Sequence, residues 1–106
     1  MRKYLSDTDT ELYQKQGAIL IKNIFKPWID LLRDGFEKVL NKPGPHAREN
    51  VTNKEGRFFE DYCNWQRINE FKKFAEESPA AQIVAEATRS KTIQLFHEHI
   101  FVKNPG

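Results

Sequence analysis

Two stretches of this 106-residue chain hold the side chains most able to do chemistry. The first is His97-Glu98-His99. In an extended strand residues two apart share a face, so both imidazoles could reach one metal ion, with His46 as a distant third donor. Glu98 would point the other way, and a complete ligand set would need a carboxylate or imidazole from elsewhere. A small metal-binding protein built on His97 and His99 is therefore one reading. Lys103 falls on the same face, and two imidazoles beside an ammonium suit an anionic ligand such as a carboxylate. The plainer alternative is a pair of half-covered histidines hydrogen-bonded to their neighbours.

The second stretch is residues 58–68, FFEDYCNWQRI. Glu60 and Asp61 suggest acid–base work, but adjacent residues on an extended chain face opposite ways, so they do not form a cooperating dyad. The aromatics around them could line a substrate pocket, or they could pin a neighbouring loop to the core while Arg67 pairs with an acid. Cys63 has no histidine near it in sequence to activate it, and reads as a small buried apolar residue. The Lys72-Lys73 and Glu76-Glu77 doublets have helical spacing and read as a solvated face. There is no glycine-rich phosphate loop, zinc-finger spacing or serine-centred elbow.

The elements that must position these groups follow from periodicity. Residues 8–16 read as a helix, with Thr8 and Glu11 at capping-box spacing and Gly17 as a left-handed stop. Residues 18–25, AILIKNIF, are short and β-branched and read as a buried strand. Pro27 opens a helix whose apolar stripe is Ile29, Leu32, Phe36, Val39 and Leu40, and Gly35 within it marks a close packing contact. Residues 41–56 carry Pro, Gly and Asn and read as one long loop. Residues 57–62 are extended, Asn69 caps a helix, Ser78-Pro79 starts another, and residues 92–102 form a long final strand.

Composition bounds the class. The chain is 39% hydrophobic, 12% aromatic and 30% charged, with a net charge of +2 and the two signs interleaved. That balance excludes a disordered chain and argues against an electrostatically driven nucleic-acid or membrane binder. A single cysteine excludes an internal disulfide framework and, with no signal or membrane-spanning pattern, suggests a cytoplasmic protein. By length it is one domain with no second. Yet the final strand is apolar on both faces, and little sheet is available to cover it. The chain reads as the front part of something larger.

Three stretches also resemble the bacterial branch of the phytanoyl-CoA dioxygenase family of non-haem Fe(II)/2-oxoglutarate oxygenases. They are residues 13–25 (YQKQGAILIKNIF), residues 58–74 (FFEDYCNWQRINEFKKF) running into Ser78-Pro79-Ala80, and residues 95–106 (LFHEHIFVKNPG). The resemblance implies an α+β fold, the N-terminal helices and first strands of a double-stranded β-helix (jelly roll) with the barrel incomplete in this chain. It implies Fe(II) and 2-oxoglutarate as cofactors and a small-molecule substrate. The family's iron ligands, a His-x-Asp pair after the Lys-x-Pro-Gly turn and a later His, have no counterpart here, so His97-Glu98-His99 is not that triad.

Carried over by position, His97, His99 and Lys103 lie on the 2-oxoglutarate side of the pocket, and Trp65 and Arg67 near the active-site mouth. No catalytic residue and no metal ligand is expected within the chain. The expectation is an N-terminal portion of a dioxygenase, inactive and binding neither cofactor tightly when alone, and able to self-associate through its uncovered last strand. The alternative is a free-standing α+β module for a small anion or a protein partner.

Overall fold

Ser6, rather than Thr8, begins the first helix. The computed structural model describes residues 3–50 and 56–105, and in it α1 spans Asp7–Gln16. The Ser6 hydroxyl accepts the Asp9 N–H while the Asp9 carboxylate accepts the Ser6 N–H. This is the expected box at the same spacing, moved two residues earlier, where Asp7 and Asp9 also meet the positive end of the helix dipole. Gly17 ends the helix with φ 79°, its N–H donating to the Tyr13 carbonyl at 2.8 Å.

Residues 18–25 do not form a strand. Burial alternates, with Ile19 and Ile21 half-buried and Leu20 82% exposed, but no described strand pairs with them. Strand propensity measures fit to a half-buried surface, and here that surface is helical. Ile19, Ile21, Ile24 and Phe25 pack on Leu5, Ile83 and Ala87. Asn23 then turns the chain at φ 63°.

Pro27 lies in a 3-10 turn, Lys26–Trp28, that runs into α2, Ile29–Asn41. α2 packs on α3, Asn69–Glu77, with Gly35 at the crossing. A Cβ there would sit 2.6 Å from Phe71 Cε1 and 3.2 Å from Glu70 Cβ. Phe71 is 5% exposed and has little room to yield. Gly35→Ala gains about 1 kcal/mol of helix propensity but must displace that ring, an overpacking cost of about 1–3 kcal/mol. Net destabilisation is expected, read as a lower urea midpoint; a rise would show that the two helices separate freely. Beside this crossing the Lys38 ammonium, 2.6 Å from Glu70, holds that carboxyl below its ordinary range against the opposing effect of burial.

α3 starts at Asn69 without a side-chain cap, because the backbone is already wound toward it. The Asn64 carbonyl accepts from Arg67 and Ile68, and the Ile68 carbonyl from Phe71 and Lys72. α4, Ala80–Thr88, follows Ser78-Pro79 as expected. Its Glu86 fastens the N-terminal segment, accepting the backbone N–H of Leu5 at 2.8 Å and of Tyr4 at 3.0 Å, and the Gln82 amide at 2.9 Å. Burial pushes the Glu86 carboxyl up, but these donors and Lys3 together carry it below its ordinary value. A lowered carboxyl stabilises the fold above its unfolded pKa, and that stabilisation is lost as pH falls through the lower folded one. Urea midpoints measured downward from pH 7 are therefore expected to fall less steeply in Glu86→Gln than in the parent below about pH 4.5; parallel curves would refute the coupling.

The sheet is antiparallel in the order β1-β2-β3, comprising Arg48–Glu49, Phe58–Tyr62 and His99–Lys103. Residues 41–56, expected as one long loop, thus include an edge strand, Arg48 opposite Glu60 and Glu49 opposite Phe59; residues 51–55 lie outside the described set. The final strand is shorter than residues 92–102. All five residues of β2 are used in pairing with β3, and Cys63 then leaves the strand direction at φ 61°, so most of the stretch before His99 has no partner strand among the described residues. Phe59 and Ile100 join Val39, Ile68 and Phe71 in the core between sheet and helices. No helix among the described residues is long and apolar enough to cross a membrane.

Candidate functional site

The register of the sheet sorts its side chains. Phe58, Glu60 and Tyr62 share one face with Lys103, Phe101 and His99, while Phe59 and Asp61 share the opposite face with Val102 and Ile100. The second face is the core: Asp61 is 0%, Phe59 2% and Ile100 6% exposed. The first face points away from the helices, and Phe101 on it is 56% exposed.

On this outer face the histidines gather around Tyr62. The His46 ring stacks on it at 4.6 Å and 14°, His99 lies at 5.1 Å and His97 at 5.8 Å. His97 and His99 are 6.2 Å apart between ring centres, although His97 precedes the strand. His99 also stacks on Phe101 at 4.2 Å, and its Nε2 lies 3.4 Å from Glu60 Oε1.

Two fasteners hold this face in place, one the buried pair Asp61 and Asn64 and the other the half-buried Glu98. Asp61, on the core side of β2, accepts the Gly44 N–H at 2.7 Å and the Tyr62 N–H at 2.8 Å. Asn64, 1% exposed, accepts from Arg67 Nε at 2.7 Å, and the same guanidinium donates to the Lys42 carbonyl at 2.9 Å. Together they tie the turn before β1, which carries His46, to the end of β2. Glu98 is the other fastener. One carboxylate oxygen accepts the backbone N–H groups of Asn64 and Trp65, the latter at 2.7 Å, and the Glu98 carbonyl accepts from Cys63.

The expected site residues therefore divide. His97 and His99 meet on the outer face, and Lys103 ends β3 on that face. Trp65 packs against the core and lines an apolar cavity of about 650 Å³ at the rim of β3, with Phe36, Phe74, Val84 and Phe96, and His99 reaches the wall of the same cavity. Arg67 is exposed and donates to the Asn64 amide oxygen and the Lys42 carbonyl, and among the described residues it pairs with no acid. Cys63 is exposed rather than buried, since its left-handed conformation turns it out of the strand. Glu60 and Asp61 face opposite ways, and the Lys and Glu doublets of α3 lie on its exposed side. Spacing points to His46 only as a distant metal donor and to Glu60 only as half of an acid pair, and it gives no signal for Tyr62 or Asn64. A sequence signal existed for Asp61: an acid at the core phase of an alternating strand demands donors.

Among the described residues no group of three or more His, Cys, Asp or Glu could hold a metal ion. The outer face does fit a carboxylate, with imidazole and phenol donors and the Lys103 ammonium on one surface.

A three-stranded sheet with one face against helices and the other lined by imidazoles defines an α+β domain with a polar, aromatic sheet wall. The chain belongs to the phytanoyl-CoA dioxygenase (PhyH) family, whose model matches residues 13–106. No curated protein and no solved structure matches it.

Proposed function

We propose that the outer face of the sheet is one wall of the 2-oxoglutarate site of an Fe(II)/2-oxoglutarate-dependent dioxygenase with a jelly-roll barrel. The observation that carries this is the gathering of His46, His97 and His99 around Tyr62 on the face turned away from the core. Family membership supplies the cofactor's identity. In this class 2-oxoglutarate is decarboxylated to succinate as it supplies electrons for O2 activation. This chain's own work in that reading is to bind and orient: imidazole and ammonium groups take the carboxylate, while Phe58 and Phe101 shield one side from water. The substrate's identity lies outside this face. The free edge of β3 is the surface through which a further strand, or a second copy, pairs.

The test is a titration of the chain with 2-oxoglutarate, followed through the side-chain NMR signals of His97, His99 and Tyr62. Perturbation of these three by millimolar 2-oxoglutarate, with α4 unaffected, is expected. Binding of phosphate or acetate with equal strength would favour a free-standing anion module, and no response at the three rings would refute the site.

A further inference from the structure

We propose that Glu60 is a positioning residue for His99, and that this makes His99, not His97, the imidazole that meets the anion. Glu60 stands on β2 on the same face, diagonal to His99, its Oε1 3.4 Å from His99 Nε2. Its other oxygen accepts the Asn50 side-chain amide at 2.6 Å. Asn50 is itself fixed, since its backbone N–H donates to the Phe58 carbonyl at 2.7 Å. The carboxylate is thus aimed from behind, and the partner it is aimed at is an imidazole nitrogen.

The ring is constrained from its other sides as well. Phe101 stacks on it at 17° and Tyr62 lies 5.1 Å away. A carboxylate facing Nε2 holds the proton on that nitrogen, the stacking fixes where Nδ1 lies, and the doubly protonated ring is the form with a second N–H left for an anion. His97 has no such support: it touches the rings of Phe96 and Tyr62, and among the described residues no carboxylate lies within ion-pair distance of it. A free carboxylate on this face would repel an anion, but Glu60 is engaged by Asn50 and His99. Arg48 is its register partner on β1, yet no ion pair joins the two among the described residues.

The positioning role stands on these contacts alone, whereas the choice of His99 for the anion rests on the function proposed above. The experiment keeps them apart. In 1H–15N spectra of the whole chain, the His99 Nε2 proton is expected to be protected from exchange, and Glu60→Leu to abolish that signal while leaving the His97 resonances in place. Asn50→Ala, which leaves β2 intact, is expected to weaken the same signal. An unchanged His99 spectrum in folded Glu60→Leu overturns the positioning role, and if that variant does not fold, an unchanged spectrum in Asn50→Ala does so.

In the second arm 2-oxoglutarate is titrated into each variant. His99→Gln is expected to weaken binding roughly tenfold and His97→Gln about twofold or less, with Glu60→Gln following His99→Gln. Equal losses from the two histidine variants overturn the choice of His99. Absence of any 2-oxoglutarate binding, with His99 still responding to Glu60→Leu, refutes the anion site and leaves the positioning role standing.

Discussion

Asp61→Ala is expected to lower stability by about 3–5 kcal/mol, because two hydrogen bonds to a charged acceptor are worth roughly 1.5–3 kcal/mol each. Asp61 is 0% exposed, and its two oxygens receive the N–H groups of Gly44 and Tyr62. Removing them strands both donors where little water reaches. Against a total stability of about 5–15 kcal/mol for a domain of this kind, that loss populates the unfolded state measurably. Asp61→Asn does not rescue it: the amide keeps one acceptor but turns an NH2 toward an N–H donor.

The local consequence is more specific than the global one. Gly44 leads directly to His46, so freeing it releases the imidazole from Tyr62, now stacked at 4.6 Å. The turn is also close-packed at Gly44 itself, where a Cβ would run into Asn64 Oδ1 and force that side chain to shift. A lowered urea midpoint together with loss of the His46–Tyr62 nuclear Overhauser contact is the expected pair of readouts. Retention of that contact in a destabilised variant would show that the turn is held by Asn64 and Arg67 alone.

How far the sequence discloses this arrangement depends on the range of the interaction. The helix around residues 29–40 and the strand at 58–62 are legible because their periods of 3.6 and 2 are local properties. The close contact at Gly35 is legible because glycine inside a helix needs a reason. Residues 18–25 and 92–98 mislead for a shared cause: their residues suit a strand, but a strand also requires a partner, which is a non-local fact. Alternation along a single strand pairs His97 with His99, whereas in the structure His97 precedes β3 and the two rings share a contact with Tyr62. His46 reaches the same ring from a turn that Asp61 ties down at Gly44, seventeen residues away in sequence, and that Arg67 holds at Lys42. No spacing rule connects those residues.

Glu98→Ala is expected to be the second severe substitution, and Glu98→Gln a mild one. The carboxylate is used asymmetrically. Oε1 accepts two consecutive backbone donors, from Asn64 and Trp65, while Oε2 is buried with no hydrogen-bond partner among the described residues. Glutamine keeps the working oxygen and places its amide where nothing accepts, so its cost is the weakening of two bonds by loss of charge and one unmet donor, about 1–2 kcal/mol. Alanine removes the acceptor and leaves two N–H groups exposed to apolar neighbours, about 3–4 kcal/mol. The two variants also separate local from global effects. Trp65 lines the cavity at the rim of β3, and its backbone N–H is fixed by Glu98. Its fluorescence is therefore expected to shift to longer wavelength in Glu98→Ala under native conditions and to stay unchanged in Glu98→Gln. Equal destabilisation by the two substitutions would mean that the negative charge, rather than the single accepting oxygen, holds the turn between β2 and α3, and the anchoring of the imidazole face would then have to be sought in electrostatics instead of hydrogen-bond geometry.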